Sequence, residues 1–177
     1  AWRLESLPLS CRAGGPALVL RGFGPGAGID AVKWPKVTNT FSAPTQLKRI
    51  VSLPDDVRAR ADCSSMRCLI ANAAPVPYAL KQEVIAKLGD GFLFEVYGST
   101  EMGIITVLRP EDQLRKPGSC GKPYGGIEFR TGKEEGTEAA QGERGEPFMS
   151  TGLASDGSHG QDGEATETRM GQGPDGG

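Results

Sequence analysis

YALKQEVIAKLGDGFLFEVYGSTE, running from Tyr78 to Glu101, decides how this chain folds. Leu80, Val84, Ile85 and Leu88 recur at helical spacing, and Gly89 stands where a helix of that length stops. GFLFEVYG follows as a compact apolar run of strand length. A helix feeding straight into a buried strand is half of a crossover unit, and crossover units build parallel sheets. The run ends at Tyr97 and Gly98, and Ser99, Thr100 and Glu101 follow at once. Two hydroxyls and a carboxylate are more than a turn requires.

Upstream, MRCLIANAAPVP holds a second strand-like run at Cys68 to Ala71, with ANAAP as the loop after it. Before that, APTQLKRIVSLP reads as a helix opened by Pro44, with Leu47, Ile50, Val51 and Leu53 forming its apolar face. DDVRARA adds a further turn. KVTNTF, Lys36 to Phe41, alternates and is β-branched, as a strand does. Residues 16–21 read as another short buried strand, and IDAVKW, Ile29 to Trp34, as a short helix stopped by Pro35. Downstream, GIITVLRP, Gly103 to Pro110, reads as a further strand. The expected fold is α/β, a partial and mostly parallel sheet with crossover helices. Its polar-rich loops, ANAAP and GSTE, fall beyond strand carboxyl ends, where such sheets bind ligands.

From Thr131 the composition changes. The chain has 26 glycines among 177 residues, and close to half of them lie after Arg130. That stretch is acidic and has few large apolar residues, a composition that reads as disordered on its own. The expected organisation is a partial α/β subdomain over residues 14–125, followed over 126–177 by the poorly ordered start of a small β-rich subdomain.

Composition narrows the function. A formal net charge of −2 gives no basic footprint for nucleic acid or an anionic membrane. No apolar run approaches the ~20 residues of a spanning helix. Cys11, Cys63, Cys68 and Cys120 form no CxxC pair, and His159 is the only histidine. Zinc is therefore not expected, and the thiols read as reduced and structural, consistent with a cytoplasmic setting. No Ser/His/Asp or Cys/His arrangement is available. His159 lies in the glycine-rich tail and reads as a solvated residue.

YGSTE has two readings. Gly98 lets a ligand approach the backbone, a threonine hydroxyl can donate to a phosphate oxygen, and a carboxylate one residue on suits Mg²⁺. A capped turn, with Ser99 or Thr100 as N-cap and Glu101 in the first turn, accounts for the same letters. Two other glycine clusters are weaker. GFGPGA, Gly22 to Ala27, fits a dinucleotide fingerprint but has no acidic residue at the ribose distance, since Asp30 is too near and Asp55 too far. PGSCGKP resembles a phosphate loop only in its GK and reads as a connector.

The wider context resembles the adenylate-forming superfamily, the acyl-CoA synthetases and their relatives, which have YG-[small or apolar]-TE at this place. TFSAPTQLKRIVSLPDDVRARADCSSMRCLIANAAPVP resembles that family's Pro-Thr helix, following strand and Gly-Ala-Ala-Pro loop. VLRPEDQLRKPGSCGKPYGGIEFR resembles its R-K-P-G-S-x-G-x-P stretch. GERGEP and QDGEATETRMGQGPDGG are weaker echoes. The resemblance implies attack of a carboxylate on the α-phosphate of ATP, giving an acyl adenylate, then displacement of AMP by coenzyme A. It implies that Tyr97 lies against the adenine, Thr100 holds the α-phosphate and Glu101 the Mg²⁺. Ala73, Ala74 and Pro75 would line the adenine and acyl pocket. Gly98, Met102 and Gly103 would border the acyl substrate, with a fatty acid expected. Asn72 departs from the pattern, standing where glycine is usual.

The family's lysine-containing phosphate loop, its ribose-binding aspartate and its C-terminal lysine have no counterpart in these residues. The expectation is therefore a middle slice of a longer ligase, inactive by itself. The alternatives are a non-catalytic remnant that binds nucleotide weakly or not at all, and a dinucleotide module depending on Gly22 and Gly24.

Overall fold

The computed structural model describes residues 24, 37–60, 62–99, 103–133 and 137–150. The expected strand at 16–21, the helix at Ile29 to Trp34 and the GFGPGA turn lie outside the described residues, Gly24 apart. Strand β1 (Asn39–Ser42) is followed by helix α1 (Pro44–Val51) and the single turn α2 (Asp55–Arg58). Strand β2 (Cys68–Ala71), helix α3 (Tyr78–Leu88) and strand β3 (Leu93–Ser99) come next. Then come β4 (Gly103–Leu108), a short 3₁₀ helix (Pro110–Asp112) and β5 (Lys122–Pro123). Strands β6 (Glu128–Gly132) and β7 (Glu146–Ser150) complete the order.

Five strands form one mixed sheet in the order β1-β2-β3-β4-β5. The β1–β2 and β2–β3 pairs are parallel, with Ser42 opposite Ala71 and Ala71 opposite Glu95. Helices α1 and α3 supply the two crossovers, as the alternating pattern predicts. The β4–β5 pair is antiparallel, so the connector PGSCGKP ends in a short edge strand that composition did not signal. GIITVLRP likewise ends as a strand at Leu108, because Pro110 opens the 3₁₀ helix instead.

The chain divides into two compact units. The first holds the described residues up to Glu95 together with Arg109–Ser119. Its core joins Leu47 and Val51 of α1, Leu69 and Ala71 of β2, Leu80 and Val84 of α3, and Phe92 and Leu93 at β3. Ile85 and Leu88 pack against it partly buried. Around the core, Lys48 Nζ on α1 donates to Glu83 Oε1 on α3 at 2.6 Å, and Lys87 Nζ donates to the Val51 carbonyl at 2.9 Å. The Arg109–Ser119 segment is tied to this unit by Gln113, fully buried, whose Nε2 donates to the Leu93 carbonyl at 3.3 Å. Tyr78 Oη donates to the Leu114 carbonyl at the same distance.

The second unit holds Val96–Leu108 and the described residues from Cys120 onward. Here β6 and β7 pair antiparallel, from Glu128 opposite Ser150 to Gly132 opposite Glu146. Ile105 and Leu108 are buried, while Tyr97, Ile104, Tyr124 and Phe129 are exposed. Thr106 Oγ1 donates to the Cys120 carbonyl at 2.7 Å, and the Tyr124 N–H donates to the Ile105 carbonyl.

Candidate nucleotide site

The ANAAP loop leaves β2 at its carboxyl end. The Asn72 N–H donates to the Ser42 carbonyl at 3.4 Å, so the loop starts beside the carboxyl end of β1 as well. Ala73 sits at φ +72°, the left-handed region that costs an L-residue roughly 1–2 kcal/mol. The Asn72 side chain offsets part of this cost, since its Oδ1 accepts the Ala73 N–H at 2.6 Å. The residue that departs from the family pattern therefore folds its carboxamide oxygen onto its own loop. Ala73, Ala74 and Pro75 are exposed.

Val76 closes the loop. It is buried, and its N–H donates to Glu95 Oε1 at 3.2 Å. Glu95 Oε2 pairs with Lys81 Nζ from α3, and the two side chains are only 13% and 3% exposed. Sequence reasoning missed this pair. Two signals were available: Lys81 falls three residues before Val84 and seven before Leu88, on the apolar face, and Glu95 is the one charge in GFLFEVYG.

In the second unit, Tyr97 is 45% exposed. It lines a shallow apolar depression of about 290 Å³ with Pro123, Phe129 and Pro147. Gly98 has a reason for being glycine that the sequence did not reveal. A Cβ there would lie 2.0 Å from the Gly103 carbonyl oxygen, so the space over Gly98 is taken by the chain's own backbone. Gly103 itself has φ +69°. Thr100, Glu101 and Met102 lie outside the described residues.

No group of three or more His, Cys, Asp or Glu side chains able to hold a metal occurs among the described residues. Mg²⁺ does not need such a group, because it is commonly held by one or two carboxylates with substrate phosphates and water. The hard oxygen donors of Thr100 and Glu101 fit that chemistry. Cys63, Cys68 and Cys120 are free. Burial pushes the Cys63 and Cys68 thiols up, with nearby Asp62 adding to the effect at Cys63.

Parallel strands joined by crossover helices, a left-handed residue in the loop after β2 and YGSTE, whose Tyr97, Gly98 and Ser99 end strand β3 where the sequence reads as a loop beyond it, match the fold of an adenylate-forming N-terminal domain. A family model described as AMP-binding enzyme matches residues 6–153. The chain belongs to that family. It is 34% identical over 139 residues to a feruloyl-CoA synthase from Amycolatopsis sp, covering 77% of this chain and 27% of that protein. It is 36% identical over 104 residues to the 2-succinylbenzoate–CoA ligase of Bacillus pumilus, covering 58% of this chain and 20% of the relative. The chain thus spans about a quarter of the length of the feruloyl-CoA synthase it matches. Among solved structures, an amide bond synthetase from Marinactinospora thermotolerans superposes with a TM-score of 0.84 at 25% identity, over 94% of this chain and 34% of that one. The O-succinylbenzoate coenzyme A synthetase of Bacillus subtilis, in complex with AMP, shares the fold with a TM-score of 0.77 at 24% identity. That likeness covers 93% of this chain and 33% of the other.

Proposed function

We propose that this chain supplies the YGSTE part of the nucleotide site of an ATP-dependent carboxylic acid–CoA ligase. The observation that supports this most is the AMP-binding match over residues 6–153, which includes YGSTE and the ANAAP loop. Tyr97 faces the adenine, Thr100 donates to the α-phosphate and Glu101 holds Mg²⁺. When bound, the metal offsets phosphate charge and polarises the phosphoryl centre. The chain's own residues do the positioning, which is most of what phosphoryl chemistry asks of a protein. Ala73, Ala74 and Pro75 present a small, exposed loop to nucleotide and acyl group, and Gly98, Met102 and Gly103 border the acyl substrate. Residues 14–125 furnish these contacts, and 126–177 begin a small β-rich subdomain.

The acyl substrate is a small carboxylic acid. The family resemblance implies a fatty acid. The relatives named for feruloyl-CoA, 2-succinylbenzoate and indoleacetate add aromatic acids to the candidates. The protein works in the cytoplasm, where ATP and coenzyme A are available.

The test is ATP–pyrophosphate exchange by the full-length product of the reading frame that encodes these residues, against a panel of fatty and aromatic acids. Exchange dependent on one acid class, lost by at least about 100-fold in Thr100→Val and Glu101→Gln, is the expected result. No exchange with any acid would leave a non-catalytic remnant as the reading.

A further inference from the structure

We infer that Lys81 and Glu95 are positioning residues, which together set the Ala73-Ala74-Pro75 loop for nucleotide; this rests on the function proposed above. The Glu95 carboxylate is shared between two tasks. Oε1 accepts the Val76 N–H at 3.2 Å, while Oε2 pairs with Lys81 on α3. Glu95 is also the β3 residue in register with Ala71, the last residue of β2. The loop therefore leaves β2 at Ala71 and is tied back, at Val76, to the strand position beside its own start. Between those anchors lies the left-handed turn at Ala73, held by Asn72.

A purely structural role explains this arrangement poorly. A buried ion pair is a weak stabiliser, and well-packed apolar residues of similar size often do as well or better. Such residues cannot accept the Val76 N–H. What the charged pair supplies beyond stability is one fixed acceptor position, because Lys81 restricts the orientation of the carboxylate. The consequence falls on a loop at the carboxyl ends of parallel strands, where this type of sheet binds its ligand.

Two neutral double variants of the full-length protein separate positioning from stability. Lys81→Met with Glu95→Gln removes both charges and keeps an acceptor for Val76. Lys81→Met with Glu95→Leu removes both charges and the acceptor. Each is measured for thermal midpoint, for Val76 amide hydrogen exchange, and for KM and kcat in ATP–pyrophosphate exchange. The expected result is similar midpoints for the two. Val76 exchange should be faster by about tenfold or more, and KM for ATP about tenfold higher, in the leucine variant alone. Equal Val76 exchange and equal KM in both variants would overturn the inference. If the unmodified protein shows no exchange of pyrophosphate, the proposed function is what fails. Val76 protection then still decides whether Glu95 holds the loop.

Discussion

The two units of this chain are held together by different means. The first is built by side chains. Leu47, Val51, Val84 and Leu93 are almost wholly buried, and one ion pair closes the loop above them. The second is built more by backbone. Its aromatic residues Tyr97, Tyr124 and Phe129 are exposed, and its strands approach so closely at Gly98 and Gly121 that a Cβ has no room. Truncating a side chain should therefore hurt the first unit, and adding a single carbon should hurt the second.

The largest effect is expected from splitting the buried pair. Lys81→Met leaves the Glu95 carboxylate without its cation and should cost about 3–5 kcal/mol in urea unfolding at neutral pH. Leu93→Ala in the first unit should cost about 2–5 kcal/mol, against less than about 1 kcal/mol for Phe129→Ala in the second. Equal losses for these two would end the contrast. Gly121→Ala tests the other side of it. The residue has φ +94°, and a Cβ would lie 2.1 Å from the Val107 carbonyl. A loss of about 2–4 kcal/mol is expected, seen as faster amide exchange in β4 and β5. Ala73→Gly should do the reverse, relieving the left-handed strain by about 1 kcal/mol.

The smallest effects concern pH. The hydrogen bond from Lys48 holds the Glu83 carboxyl below the usual carboxylate range, with Lys87 assisting. A lowered pKa in the folded state stabilises it above the ordinary carboxylate range, and that contribution fades as pH falls through the folded value. Lys48→Gln should flatten the acid limb of a stability–pH curve slightly and leave neutral stability nearly unchanged. Cys63 and Cys68 act at the opposite limb. Their raised pKa values favour the fold below the ordinary thiol range, and the contribution declines as pH rises through it. Replacing both with alanine should flatten the alkaline limb, read from the same unfolding curves.

Much of this was legible in the residues. Pro44 opening α1, Cys68 to Ala71 as a strand and the helix from Tyr78 all follow from spacing and from where proline and glycine stand. Those signals are local, and each residue reports its own period. The ANAAP segment was legible as a loop for the same reason, whereas Tyr97, Gly98 and Ser99 of YGSTE continue strand β3 to its end.

Other features depend on residues distant in sequence, and no local signal encodes them. Lys81 and Glu95 are 14 positions apart by their numbering, and each alone is a common charged residue. Only the packing of α3 against the sheet removes both from water and leaves the carboxylate over the Val76 N–H. Gly98 reads in the sequence as a place where a ligand meets the backbone, and the structure adds a separate requirement, since the Gly103 carbonyl leaves no room for a Cβ. The sequence by itself determined the order of helices and strands, because apolar periodicity and turn residues act over a few neighbours. The tertiary structure alone decided which charge is buried, which glycine is indispensable and where the loop after β2 is fastened, because burial and close approach exist only once distant segments meet.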